Sequence, residues 1–96
     1  MIYIISDGEL VKIGHSKNPH KRLAQLQTGH PKRLKLIALF EWETKGKITE
    51  RIMEGRIHYL LRQFKVRYNG EWFKFSDNEG LIELINRILN HALGKS

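Results

Sequence analysis

Tyr3, Lys12 and Arg22 stand within the first quarter of a 96-residue chain, and Glu54 and His58 follow four residues apart. Residues four apart on a helix share a face. A phenol, an ammonium, a guanidinium and one carboxylate form a set that can act on a phosphodiester. The carboxylate can hold a divalent cation that neutralises phosphate charge and stabilises the leaving oxygen. The guanidinium can clamp a non-bridging oxygen. Tyrosine or lysine can activate water if its pKa is lowered. Spacing alone leaves the blander roles open. Tyr3 can be a core aromatic, Lys12 a solvated strand lysine, and Glu54 a helix residue bonded to Arg51 or His58. Glu54 and His58 with zinc would need a third ligand at ligand spacing.

Those residues need elements to position them. Met1–Ser6 and Leu10–Gly14 are short β-branched runs around Asp7-Gly8-Glu9, and Asp-Gly between apolar runs signals a hairpin. Tyr3 and Ile5 share one face of the first run, opposite Ile2 and Ile4, and Lys12 points away from Val11 and Ile13. Asn18-Pro19 reads as an N-cap and first helical residue, opening a helix through Leu23 and Leu26 that stops near Thr28-Gly29. Leu34–Trp42 alternates as a third strand, with Leu34, Leu36, Ala38 and Phe40 on one side. Thr49 caps a long helix to about Phe64, whose stripe is Ile48, Ile52, Met53, Ile57, Leu60, Leu61 and Phe64. Glu71–Phe75 is a strand or a packed loop. Ser76-Asp77-Asn78-Glu79 offers a capping box for a last helix through Leu81, Ile85 and Ala92, closed by Gly94. The pattern predicts an α/β (α+β) domain in which a small antiparallel three-stranded sheet is flanked by helices.

The net charge of +7 comes from 17 Lys and Arg against 10 Asp and Glu. Between Leu10 and Phe40 there are bases (Lys12, Lys17, Lys21, Arg22, Lys32, Arg33, Lys35) and no acid. Outside that window the charges balance, so the whole excess lies in one stretch. A concentrated field of one sign suits a polyanion, first of all nucleic acid. No amphipathic helix rich in large apolar residues accompanies it, which argues against a membrane surface. Lys17, Lys21, Lys32, Arg33 and Lys35 are the candidate phosphate-backbone contacts. With no cysteine, a disulfide scaffold, a thiolate zinc finger and a cysteine nucleophile are excluded, and a cytoplasmic location is expected. The opening run is broken by Ser6-Asp7-Gly8, so it reads as neither signal peptide nor membrane span.

Tyr3 in Ile2-Tyr3-Ile4, Lys12-Ile13-Gly14 and Arg22 in Asn18-Pro19-His20-Lys21-Arg22 together resemble the opening of the GIY-YIG endonuclease superfamily. The likeness is greatest to a short phage and bacterial branch with K-I-G as its second signature. Arg22–Pro31, Glu54-Gly55-Arg56-Ile57-His58 and Gly70-Glu71-Trp72-Phe73 extend the resemblance over residues 2–75. It implies a nuclease core over residues 1–75, with residues 76–96 a C-terminal helix on the same domain. It further implies a DNA endonuclease with one Mg²⁺ or Mn²⁺ on Glu54, Arg22 at the scissile phosphate and Tyr3 beside the attacking water. Lys12 stands where the second signature tyrosine would be. The superfamily's histidine after the arginine is replaced by Leu26; His15 or His58 are the candidates to compensate, and Asn69 is the candidate second polar residue of the site. Lys12 and Leu26 also keep open a nucleic-acid-binding module or regulator that does not cut. The Leu81–Ala92 helix is a candidate surface for a homodimer or protein partner.

Overall fold

Ile2, Tyr3, Ile4 and Ile5 are each at most 2% exposed, because the strand they form is covered on both faces. A computed structural model of the chain describes residues 1–43, 46–67 and 72–92. In it β1 (Ile2–Ser6) lies inside a five-stranded antiparallel sheet with β2 (Val11–His15), β3 (Lys35–Phe40), β4 (Lys65–Arg67) and β5 (Trp72–Phe73), in the order β3-β1-β2-β5-β4. Helices α1 (Pro19–Gln27), α2 (Glu50–Leu60) and α3 (Asn78–Ala92) complete the α+β fold. The expected three strands become five. β4 was hidden because the apolar stripe of α2 continues on paper to Phe64, whereas the helix ends at Leu60 and a 3₁₀ turn over Arg62–Phe64 leads into the strand. Three residues are too few for a period-2 pattern to show.

The alternation along β1 divides the core. Ile2 and Ile4 join Val11, Ile13, Phe73, Met53, Ile57, Leu81 and Ile85 on the α2 and α3 side. Tyr3 and Ile5 join Leu34, Trp72, Leu23 and Leu26 on the α1 side. The stripe of α3 that suggested a partner surface is therefore packed on the chain's own core, with Leu81, Ile85 and Leu89 buried. The single alternation expected for β3 is also corrected. A register shift between Ile4 and Ile5 sets Leu36 opposite Ile5 and Ala38 opposite Ile4. Such a bulge moves later residues to the other face, so Leu34 and Leu36 serve the α1 side while Ala38 and Phe40 serve the other.

Local chemistry fixes the ends. Asn18 accepts from the Lys21 N–H and Thr49 from the Ile52 N–H. Ahead of α3 the cap is Asp77 in place of the expected Ser76: its Oδ1 accepts from the Glu79 N–H at 3.1 Å and its carbonyl from the Leu81 N–H. Gly94 lies outside the described residues. In the β1–β2 loop Gly8 has φ +96°, a conformation glycine adopts without steric cost. Buried Asp7 accepts from the N–H groups of Glu9 at 2.9 Å and Leu10 at 2.7 Å. Burial alone raises the Asp7 carboxyl, yet those two N–H groups, the His30 side chain and Lys32 outweigh it and hold the group below the ordinary carboxylate range.

Across β1 and β2, Tyr3 faces Gly14. A Cβ on Gly14 would lie 2.6 Å from the Tyr3 Cζ and closer still to Oη. The ring occupies the space a side chain would need.

Three outcomes are expected. Gly14→Ala forces the buried Tyr3 ring to move and costs about 1–3 kcal/mol, as overpacking does; a urea midpoint equal to wild type would show that the ring does not rest there. For Asp7, a folded pKa below the unfolded one means stability that is present above the unfolded value and lost as pH falls through the folded one. Melting curves below about pH 4 therefore show a decline in wild type that Asp7→Asn flattens. Asp7→Ala costs about 1–3 kcal/mol at neutral pH through the two lost charge-assisted bonds.

Candidate functional site

Tyr3, Lys12, Arg22 and Glu54 come from β1, β2, α1 and α2, and all four line one depression of about 290 Å³ together with Ile13, Gly14 and His15. At about 30 Å³ per water that is room for roughly ten waters, enough for a hydrated phosphate. Each side chain arrives by a different route. Tyr3 is placed by strand register, its ring buried and its hydroxyl end over Gly14. Lys12 is 9% exposed, so the solvated-lysine reading fails. Its ammonium lies 6.0 Å from the centroid of Trp72, its cross-strand neighbour on β5, within reach of a cation–π attraction. Arg22 is exposed on the first half of α1. Among the described residues, its guanidinium makes no ion pair.

Glu54 is held from two sides. Its Oε2 is hydrogen-bonded to His15 Nδ1, and its Oε1 is 3.6 Å from His58 Nε2. His58 donates from Nε2 to the Ile13 carbonyl at 2.6 Å and meets the edge of Phe73. A carbonyl only accepts, so the proton of neutral His58 resides on Nε2. That bond ties α2 to β2 at the residue beside Gly14, and the i, i+4 relation then presents Glu54 to the depression. His15 and His58 thus both reach Glu54, as candidates for supporting roles. Asn69 lies outside the described residues.

The site combines two cations with one carboxylate. Among the described residues, no group of three or more His, Cys, Asp or Glu side chains converges that could hold a metal ion. The zinc reading of Glu54 with His58 therefore lacks its third ligand. One half-buried carboxylate does fit a hard cation such as Mg²⁺ or Mn²⁺, which is held largely by water and substrate phosphate.

The five candidate backbone contacts, Lys17, Lys21, Lys32, Arg33 and Lys35, are all exposed. The acid-free window is not acid-free in space, however. Ser6 pairs with Lys35, which brings the β1–β2 loop beside the Pro31–Lys35 segment. Glu9 meets the Lys32 ammonium at 2.8 Å, and Asp7 Oδ2 is 3.4 Å from His30 Nε2. His30 is half-buried and stacked on Trp72 with centroids 5.1 Å apart. No periodicity could have announced that contact, since His30 sits in a loop. Leu26, where a histidine was expected, packs in the core on the α1 side. Among the described residues, no helix is long and apolar enough to cross a membrane.

A family model described as the T5orf172 domain matches residues 1–89. No curated protein and no solved structure matches the chain. The match overturns the resemblance to the GIY-YIG superfamily. The motifs behind that resemblance fix only a few positions and depart from their pattern at Lys12 and Leu26, whereas the family model weighs nearly the whole chain. Membership is compatible with a nucleic-acid-related role. The matched span includes every residue of the depression and most of α3, and the chain belongs to the T5orf172 domain family.

Proposed function

We propose that the domain hydrolyses phosphodiester bonds of nucleic acid, DNA in the first instance, at the depression between β1, β2, α1 and α2. The observation that supports this most is the convergence of Tyr3, Lys12, Arg22 and Glu54, from four separate elements, on one space with room for a hydrated phosphate. Structural necessity alone gives no reason for two cations and one carboxylate to meet there.

Arg22 grips the non-bridging oxygens of the scissile phosphate, where its planar fork can bind two at once. Lys12, partly desolvated against Trp72, stabilises the negative charge that grows as water attacks. The Tyr3 hydroxyl holds the attacking water and relays its proton. Glu54 is the residue that would hold Mg²⁺ or Mn²⁺; when bound, the ion neutralises phosphate charge and stabilises the leaving oxygen. His58, anchored on the Ile13 carbonyl, orients that carboxylate. His15 covers its other oxygen, so His15 must turn aside for a cation to enter.

That last contact favours a second reading, a module that binds nucleic acid without cutting it, with Glu54 kept as a partner of His15. One assay separates the two. Supercoiled plasmid incubated with protein and Mg²⁺ or Mn²⁺ is expected to be nicked, and Glu54→Ala is expected to slow nicking by at least about 100-fold, the scale of a lost group that stabilises charge. Equal nicking by Glu54→Ala overturns the hydrolytic site. A mobility shift without nicking, unaltered by the substitution, establishes the binding module.

A further inference from the structure

Behind α1, on the side turned away from Arg22, lies a second concavity of about 560 Å³, within the roughly 300–1,000 Å³ usual for small-molecule sites. Its walls are Leu23 and Ala24 on the helix and Pro31 and Leu34 on the following segment, and Arg33 stands at its rim. Among the described residues, no acidic side chain lines it. The space is built and held open by Gln27. Its Nε2 donates to the Lys32 carbonyl at 2.9 Å, and its Oε1 accepts from the Leu34 N–H at 2.8 Å. Both ends of the amide are thereby committed to fixing the Lys32–Leu34 backbone against α1. The result is an open concavity with an apolar wall of Leu23, Ala24, Pro31 and Leu34 beside His20, Lys32 and the exposed guanidinium of Arg33.

Those features match one ligand chemistry. A flat apolar face between aliphatic walls suits a nucleobase, and a cation at the mouth suits its phosphate. A base paired within a duplex cannot enter a pocket, whereas an unpaired base can be splayed into one. His20 and Leu23, which line this pocket, flank Arg22 in sequence, so one helix lies between the two concavities. A strand whose phosphate rests on Arg22 and whose next bases enter the second concavity would pass exposed Lys21 on α1. We propose that the pocket of Leu23, Ala24, Pro31, Arg33 and Leu34 is a subsite for an unpaired nucleotide, and that the domain selects single-stranded or locally unpaired nucleic acid. This rests on the hydrolytic reading for the place of the scissile phosphate, and on the second pocket alone for strandedness.

The test is fluorescence anisotropy with a labelled 12-nucleotide single strand, DNA and RNA in turn, and with the corresponding duplex. Binding is measured in a Glu54→Gln background so that nothing is cut. Single strands are expected to bind at least about tenfold more tightly than duplex. Ala24 is exposed, so Ala24→Phe fills the slot without touching the core and is expected to abolish that preference. Arg33→Ala, also at an exposed position, is expected to weaken single-strand binding several-fold more than duplex binding. Equal affinity for the two forms, or a preference that survives Ala24→Phe, overturns the subsite. The hydrolytic reading fails separately: wild-type protein with Mg²⁺ or Mn²⁺ would then leave the labelled single strand itself uncut, while the single-strand preference and its loss in Ala24→Phe still appear.

Discussion

The ring of Tyr3 lying flat across β2 at Gly14 is the contact on which the site depends. β1 is covered on both faces, so its side chains have no freedom to choose a direction. Register then sets a tyrosine directly opposite a glycine. Close-packed interiors leave no slack for another arrangement. Because the ring uses the space above Gly14, its hydroxyl end is held at the rim of the depression, between Lys12 one strand position pair away and the helix that carries Arg22. Had β1 slipped by one residue against β2, Tyr3 would face α2 and α3, on the other side of the sheet from Lys12, and the site would lose its phenol.

The carboxylate arrives by an independent tie. Glu54 belongs to a helix packed on the opposite face of the sheet, and the His58 bond to the Ile13 carbonyl ties that helix to β2. A hydrogen bond from a half-buried imidazole to a strand carbonyl contributes modestly to stability, about 1 kcal/mol. Its larger consequence is positional. Ile13 precedes Gly14, so one bond references the acid-bearing helix to the same two residues that seat Tyr3. The phenol and the carboxylate are thus registered to one segment of β2, which is how four elements can agree on a site without a shared loop.

How much of this was legible in the sequence follows from range. The hairpin, the caps at Asn18 and Thr49, and the division of β1 into two faces are local and could be read directly. Tyr3, Lys12, Arg22 and Glu54 could be chosen from residue type and motif order, and they do share one depression. What could not be read depends on contacts made after folding. β4 is three residues long and follows a helical stripe without a break. The bulge opposite Ile4 and Ile5 reverses the faces of β3, and alternation within β3 carries no mark of it. His30 on Trp72 and Glu9 on Lys32 join segments that are distant in sequence. The family was misjudged for a related reason: a handful of matching motif positions carries less information than agreement over residues 1–89.

The distribution of charge changes meaning once it is folded. In sequence the bases from Lys12 to Lys35 form one uninterrupted positive stretch. In the structure the β1–β2 loop sets Glu9 against Lys32 and Asp7 against His30, which neutralises the border of that stretch nearest the loop. Exposed pairs such as Glu9 and Lys32 contribute little to stability, so their chief effect is on the field. Lys17, Lys21, Arg22 and Arg33 remain exposed. Lys21 and Arg22 lie on one short helix. Arg22 at the depression and Arg33 at the second concavity suit a single flexible strand, which can turn its bases outward, better than a duplex, whose bases are paired.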